Sequence, residues 1–104
     1  MITAEFYTKQ SKPYGFVIKG HAGYAESGDD IVCASVSSAV QLVANTVTEV
    51  LKINAEVKVL NDKIQFRLPD LDINAVNLLE GLKLHLTVLS EDYEGTIKIT
   101  TSEV

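Results

Sequence analysis

The hydrophobic period changes several times along this chain, and these changes constrain the fold more than any single residue does. Residues 1–20 alternate apolar with polar side chains, which is the pattern of half-buried strands. A turn is predicted at 11–13, so this segment is expected to form a hairpin. The same alternation flanks the polar pair 61–62, which predicts a second hairpin, and it returns over 96–101, which predicts a last strand.

The two segments between these strands have the period of about 3.6 residues that is typical of amphipathic helices. Asp29 or Asp30 is predicted to cap the first helix and Asp70 the second, because carboxylates accept hydrogen bonds from the free amides at a helix start. Valine is a weak helix former, so packing on the sheet is expected to stabilise the first helix. The apolar stripe of the first helix consists of Val32, Val36, Ala39, Val40, Val43, Val47 and Val50, and that of the second of Ile73, Val76, Leu79, Leu82, Leu86 and Leu89.

The element order is therefore β-β-α-β-β-α-β, in an α/β (α+β) fold of two layers: a small mixed sheet with both helices on one face. A length of 104 residues fits a single domain spanning 1–104. Because so small a domain buries a limited fraction of its surface, self-association is a common supplement to its stability.

Composition excludes several classes of protein. The one cysteine cannot form an intrachain disulfide or a cysteine-rich zinc site, and it favours a reducing compartment. The chain starts without a basic leader, and no window approaches the roughly 18 to 20 apolar residues of a membrane span, so a cytoplasmic protein that binds no membrane is expected. Nine Lys and Arg residues against fourteen Asp and Glu, scattered from Lys9 to Lys98, disfavour direct binding of nucleic acid.

The segment 20–38, GHAGYAESGDDIVCASVSS, carries the candidate chemistry. Residues 20–30 are predicted to form a mobile glycine-rich loop, and Cys33 then falls in the first turn of the helix. A helix N-terminus lowers the pKa of a thiol, because its free amides and partial positive charge stabilise the thiolate. If the loop folds back, His21 can hold the proton that Cys33 gives up.

Each of these residues also has a purely structural interpretation. A lone cysteine on a valine-rich helix is usually a packing residue, although Cys33 is offset by one position from the apolar stripe. Ser37, one turn later, either hydrogen-bonds in the site or is a small residue that permits close packing. Asp29 and Asp30 either cap the helix or orient His21.

Metal and phosphate sites are disfavoured. His21, Cys33 and His85 include no closely spaced pair of metal ligands, and His85 is expected to face solvent on the second helix. The glycine-rich loop resembles a phosphate site, but 20–38 contains no Lys or Arg and does not match the P-loop spacing. No cofactor is expected.

The motifs Gly20-His21-Ala22 and Gly28-Asp29-Asp30-Ile31-Val32-Cys33-Ala34, followed by Ser37, resemble the signature of the bacterial ribosomal-processing cysteine protease family, Prp. The predicted element order fits that family over essentially the whole chain. The resemblance implies that His21 and Cys33 form a catalytic dyad, with Asp30 and Ser37 as supporting residues.

The resemblance also implies a substrate and an assembly. By this resemblance, the protein removes a short N-terminal extension from the twenty-seventh protein of the bacterial large ribosomal subunit, cutting after an aromatic residue. The resemblance likewise implies a homodimer. On this basis Cys33 attacks the scissile carbonyl to give an acyl-enzyme, and amides at the helix start, including that of Cys33, stabilise the oxyanion. Gly20, Gly23 and Gly28 would let the loop open for an extended peptide, and Tyr24 is a candidate contact for the aromatic side chain.

Two other functions are compatible with the residues. The chain could be a non-enzymatic ribosome-associated binding or assembly factor in which Cys33 only packs. It could also be a thiol redox sensor, although it lacks a second cysteine to resolve an oxidised one.

Overall fold

The computed structural model of the protein describes residues 1–20 and 26–103. Its elements follow the predicted β-β-α-β-β-α-β order, with one added π-helical turn after the first helix. They are β1 (Ile2–Lys9), β2 (Lys12–Lys19), α1 (Glu26–Asn45), the π-helical turn (Thr46–Val50), β3 (Glu56–Leu60), β4 (Lys63–Arg67), α2 (Ile73–Asp92) and β5 (Ile97–Glu103).

The five strands form one mixed sheet in the order β3-β4-β2-β1-β5. Strands β1 and β5 are parallel, and the other neighbouring strands are antiparallel. One face of the sheet packs against both helices, and its centre is aromatic: the rings of Phe16 and Phe66 stack with centroids 5.1 Å apart, and Phe6 lies 5.8 Å from Phe16. The predicted two-layer α+β architecture is confirmed.

The first hairpin turns at residues 10–11, so its turn begins one residue and ends two residues before the predicted 11–13. Gln10 and Ser11 both have positive φ, 53° and 64°, which is the signature of the tight turn that matches the twist of two antiparallel strands. Pro13 lies inside β2, opposite Thr8, where the register shifts between Tyr7 and Thr8. A bulge tolerates a residue without an N–H, so proline here does not mark the turn.

Helix α1 begins at Glu26, which is earlier than the predicted caps. Asp29 and Asp30 therefore lie within the helix, and Gly28 belongs to its first turn, whereas all three were expected in the loop or at the cap. Acidic residues are favourable throughout the first turn because they complement the positive end of the helix macrodipole. The acids that predicted a cap are equally compatible with a helix that starts before them.

The apolar stripe of α1 packs on the sheet as predicted as far as Val47, which is fully buried. Val50, by contrast, is 72% exposed. The π-helical turn at Thr46–Val50 contains more residues per turn than an α-helix, so the stripe loses its phase there.

The segment Ile31–Val50 is long and apolar enough to cross a membrane by length and composition, so the expectation that no window approaches a span is wrong by that criterion. Within this segment, the valines at 32, 36, 40, 43 and 47 are buried against the sheet and α2. Packing in the core of a sheet-and-helix domain therefore accounts for this stripe of valines, and 33% of the apolar window is buried in all.

Helix α2 is capped by Asp72 and not by the predicted Asp70. The Asp72 backbone is extended, and its Oδ1 accepts hydrogen bonds from the amides of Asn74 at 3.0 Å and Ala75 at 3.2 Å. Ile73, predicted to begin the apolar stripe, is the first helical residue and is 62% exposed, and burial in the core begins at Ala75 and Val76.

Candidate active site

A cleft of about 340 Å³ opens between α1 and the β3–β4 hairpin, beside the end of β2. One side is the helix face at 33–41, and the other is the hairpin at 59–64. Its lining residues are Ile2, Ile18, Lys19, Gly20, Cys33, Val36, Ser37, Val40, Gln41, Val59, Leu60, Asn61, Asp62, Lys63 and Ile64.

Cys33 and Ser37 both line this cleft, as their spacing of one helical turn predicts. The Cys33 thiol is free and half-buried, packed on one side against the core. Its neighbour Val32 is fully buried. The one-residue offset from the apolar stripe therefore places the thiol at the boundary between core and cleft, where a substrate can reach it.

The position of Cys33 in the helix differs from the prediction. Counting Glu26 as the first residue of α1, Cys33 is the eighth. Only the first four amides of a helix lack an intrahelical acceptor, and the field of the macrodipole falls off within the first turn. The expectations that Cys33 sits in the first turn and offers its own amide to an oxyanion are therefore wrong for this structure.

Gly20 fixes the chain where it leaves β2 toward residue 21. Its φ is +94°, and its N–H donates a hydrogen bond to the Asp62 carbonyl at 3.0 Å. A Cβ at this position would lie 2.5 Å from the Met1 carbonyl oxygen, so the backbones approach too closely for a side chain. Glycine is required here for a defined conformation, whereas the sequence suggested only freedom to move.

The structure places the other predicted site residues as follows. Gly20 lines the cleft with Cys33 and Ser37. Gly28 and Asp30 belong to helix α1. His21, Gly23 and Tyr24 lie outside the described residues.

Comparison with known proteins identifies the family. Residues 1–98 match the family model described as cysteine protease Prp, which covers nearly the whole chain, including the cleft. The chain belongs to the Prp family. It is therefore a cysteine protease of the ribosomal-processing type, and the cleft that holds its single cysteine is the candidate active site.

Relatives of known name agree with this membership. The ribosomal processing cysteine protease Prp of Bacillus subtilis is 29% identical over 94 residues, which are 84% of each chain. The crystal structure of the Prp protease of Staphylococcus aureus with a covalently linked product peptide superposes with a TM-score of 0.89 at 23% identity, covering 98% of this chain and all of that one. A second structure of the Staphylococcus aureus protease, with a substrate peptide, gives a TM-score of 0.83 at 22% identity, again over 98% of this chain and all of the other.

Some lining residues of this Prp-family cleft are not apparent from sequence reasoning. Gln41 is one turn beyond Ser37, so extending the helical spacing of Cys33 and Ser37 by four residues would find it. The hairpin residues 59–62 carry no such signal, because only the pairing of β4 with β2 brings them to the cleft.

A metal centre is not apparent in the part of this Prp-family chain that the structure describes. Among residues 1–20 and 26–103, no group of three His, Cys, Asp or Glu side chains is arranged to hold an ion. His85 is exposed on α2 and lines a separate groove between the helices.

Proposed function

We propose that this Prp-family protease removes a short N-terminal extension from the twenty-seventh protein of the bacterial large ribosomal subunit, cutting after an aromatic residue. The observation that carries the proposal is the free, half-buried Cys33 thiol in a cleft large enough for part of a peptide. The complexes of the Staphylococcus aureus relative with a product peptide and with a substrate peptide support it.

The proposed chemistry uses Cys33 and His21 as a dyad. His21 accepts the thiol proton, and the Cys33 thiolate attacks the scissile carbonyl to form a tetrahedral intermediate. The C–N bond then breaks as His21 returns the proton to the leaving amine, which leaves a thioester on Cys33. Water, deprotonated by His21, attacks the thioester, and the carboxylate product leaves while the thiol is regenerated.

The proposed oxyanion donor is the Ser37 hydroxyl. The Cys33 amide is internal to α1, so the developing negative charge needs another donor that faces the cleft. Ser37 is exposed, lies one turn from Cys33 and lines the same cleft. The side-chain amide of Gln41 is proposed as a second hydrogen-bond donor on that side of the helix. Asp30 is proposed to orient His21 and so acts as a positioning residue.

The remaining parts of the proposal concern the loop and the setting. Gly23 and Tyr24 are proposed to belong to a segment that closes over the bound peptide, with Tyr24 against its aromatic side chain. We place the reaction in the cytoplasm, where the thiol stays reduced, and we propose that the enzyme acts as a homodimer.

The proposal is tested by incubating the protein with the N-terminal peptide of that ribosomal protein from the same genome, and following the products by mass. We expect one cut after an aromatic residue, with Cys33→Ala and His21→Ala reducing cleavage to background while the melting temperature stays unchanged. Ser37→Ala is expected to lower kcat by about 10²-fold, the usual effect of losing one oxyanion donor.

The matched control for Ser37→Ala is Ser38→Ala. Ser38 is also exposed on α1 but lines the groove between the two helices, so its hydroxyl does not face the cleft. Ser38→Ala is expected to retain full activity. Full activity in Cys33→Ala would contradict the proposed mechanism, and the absence of any cut by the wild-type enzyme would contradict the proposed substrate.

A further inference from the structure

An apolar row crosses the sheet beneath the cleft. Ile18 of β2 pairs with Ile64 of β4, which pairs in turn with Val59 of β3. All three lie on the helix side of the sheet and line the cleft with Cys33. Exposure rises along this row: Ile18 is 6% exposed, Ile64 is half-buried and Val59 is 74% exposed. The row therefore forms the floor of a groove that starts in the core near Cys33 and opens at the sheet edge.

The exposure of Val59 is not explained by folding. A valine that is 74% exposed buries little apolar surface, so it adds little to the free energy of unfolding. An exposed, β-branched residue on an edge strand is also a liability for aggregation. At the open end of a protease cleft, its side chain is accessible to a substrate.

The groove is preformed. The β3–β4 hairpin is held by its ladder with β2 and by the bond from the Gly20 N–H to the Asp62 carbonyl, 3.0 Å long. From the other side, Val36 and Val40 of α1 are buried and face the same space. Sites that are rigid before binding lose less conformational entropy when a ligand enters.

We propose that Val59, with Ile64 beside it, forms a subsite that receives an apolar side chain of the substrate about three residues from the scissile bond. Ile18 and Cys33 line the same cleft, so we count from Ile18: Val59 lies two strand spacings, or about 10 Å, away, and an extended peptide advances about 3.3 Å per residue. The inference rests on the proposed peptide cleavage at Cys33, and it adds a second recognition point beyond the residue next to the cut.

The test compares two valines of the same strand. Val57 and Val59 share one face of β3, but Val57 lines a separate groove near the end of α1 and lies outside the Cys33 cleft. We expect Val59→Lys to lower kcat/KM for the parent peptide at least about tenfold, the effect of losing apolar contact in a specificity pocket. Val57→Lys is expected to retain the wild-type kcat/KM.

A peptide scan then locates the position that the subsite reads. Each apolar residue of the peptide within four residues of the cut is replaced by Asp in turn. We expect one position, about three residues from the cut, at which Asp lowers cleavage by the wild-type enzyme, whereas Val59→Lys prefers the Asp peptide to the parent. That reversal of preference requires direct contact and would not arise from a structural defect.

The outcomes separate this inference from the proposed function. Cleavage that is lost in Cys33→Ala but unchanged in Val59→Lys overturns the subsite and leaves the protease mechanism intact. Equal losses in Val57→Lys and Val59→Lys, or no reversal at any peptide position, also overturn it. If either lysine variant has a lowered melting temperature, the nearly isosteric Val57→Thr and Val59→Thr pair is measured in its place, with the same expected order.

Discussion

Gly20 links a backbone requirement to the candidate active site. The residue has a φ of +94°, and a Cβ added there would lie only 2.5 Å from the Met1 carbonyl oxygen. It also holds the turn of the β3–β4 hairpin through the Asp62 carbonyl. A single glycine thus joins the start of β1, the end of β2 and the wall of the cleft.

Gly20→Ala is therefore expected to lower the free energy of unfolding by about 1–3 kcal/mol, the range for a strained backbone conformation. Gly81→Ala is the control, because an added Cβ there meets nothing within 4 Å and Gly81 lies inside α2. That change is expected to stabilise the protein by about 0.5–1 kcal/mol. Urea unfolding of both variants measures the difference, and a Gly20→Ala variant as stable as the wild type would contradict the close approach.

Glu5 connects the two parallel strands through its carboxylate. Its Oε2 accepts a hydrogen bond from the Ser102 hydroxyl at 2.7 Å, and its Oε1 accepts one from the Tyr7 hydroxyl at 3.1 Å. These bonds, that of Ser102 first, lower the pKa of Glu5 from its ordinary value of 4.5. Burial, and then the bond to Glu5, raise the pKa of Tyr7 above 10.0.

The lowered pKa of Glu5 gives a pH dependence with a definite sign. Its contribution to stability is present above the pKa of the unfolded chain and is lost as the pH falls through the lower pKa of the folded state. Ser102→Ala is expected to move the Glu5 pKa upward, measured by NMR titration of the carboxyl group. Ser90→Ala is the control, since the Ser90 hydroxyl donates to the Thr87 carbonyl. An unchanged Glu5 pKa in Ser102→Ala would contradict the stated cause.

At the scale of elements, the sequence pattern predicts that a helix starts nearby but does not predict which residue caps it. Acidic residues predicted the approximate start of both helices, but Asp29 and Asp30 lie inside α1, and Asp70 lies two residues before the observed cap of α2. At α2, Asp72 is the cap because its extended backbone directs the carboxylate to the amides of Asn74 and Ala75. The choice between two acids two residues apart depends on dihedral angles that composition does not specify.

The Asp72 cap is tested against the acid that the sequence favoured. Asp72→Ala is expected to lower the free energy of unfolding by about 1 kcal/mol through loss of two amide partners. Asp70→Ala, two residues before the cap, is expected to change it by less than about 0.5 kcal/mol, as for an exposed surface position. Thermal unfolding of both variants decides, and a larger effect at Asp70 would contradict the assignment.

At the scale of the whole molecule, the helix layer carries several exposed apolar side chains. Leu42 of α1 and Leu84 of α2 are 68% and 66% exposed, and a groove of about 720 Å³ runs between the two helices. A domain of this size gains stability by covering such a surface. This layer is the expected contact for the proposed homodimer.

Light scattering is expected to give twice the chain mass of 11.3 kDa for the wild-type protein. Leu42→Asp and Leu84→Asp are expected to shift the protein to monomer, because they place a charge in an apolar contact. Val59→Lys, on the edge strand β3 and outside the groove between the helices, is the control and is expected to stay dimeric. A wild-type monomer at micromolar concentration would contradict the proposed assembly.

Charge also shows how far a linear sequence can mislead. The lysines and arginines are scattered along the chain, but Lys19 pairs with Lys63 across β2 and β4, and both Lys19 and Lys98 pair with Thr3. Three lysines thus form one row on the sheet face away from the helices. Strand pairing brings together residues that are far apart in the sequence. The spacing of charged residues along the chain therefore does not show how they are distributed on the surface.

The sequence by itself determined the order of elements, the face that each helix buries and the likeness of the Gly20–Ser37 segment to the Prp family, because these depend on local periodicity and short-range spacing. It also placed Cys33 and Ser37 on one side of α1, since helical geometry fixes that relation. The tertiary structure alone decided where α1 begins relative to Cys33, which glycine conformation Gly20 adopts, and that the β3–β4 hairpin forms the second wall of the cleft. The Gly20 conformation and the wall of the cleft arise from strand pairing and from backbone contacts between segments distant in the sequence, and no local pattern encodes them.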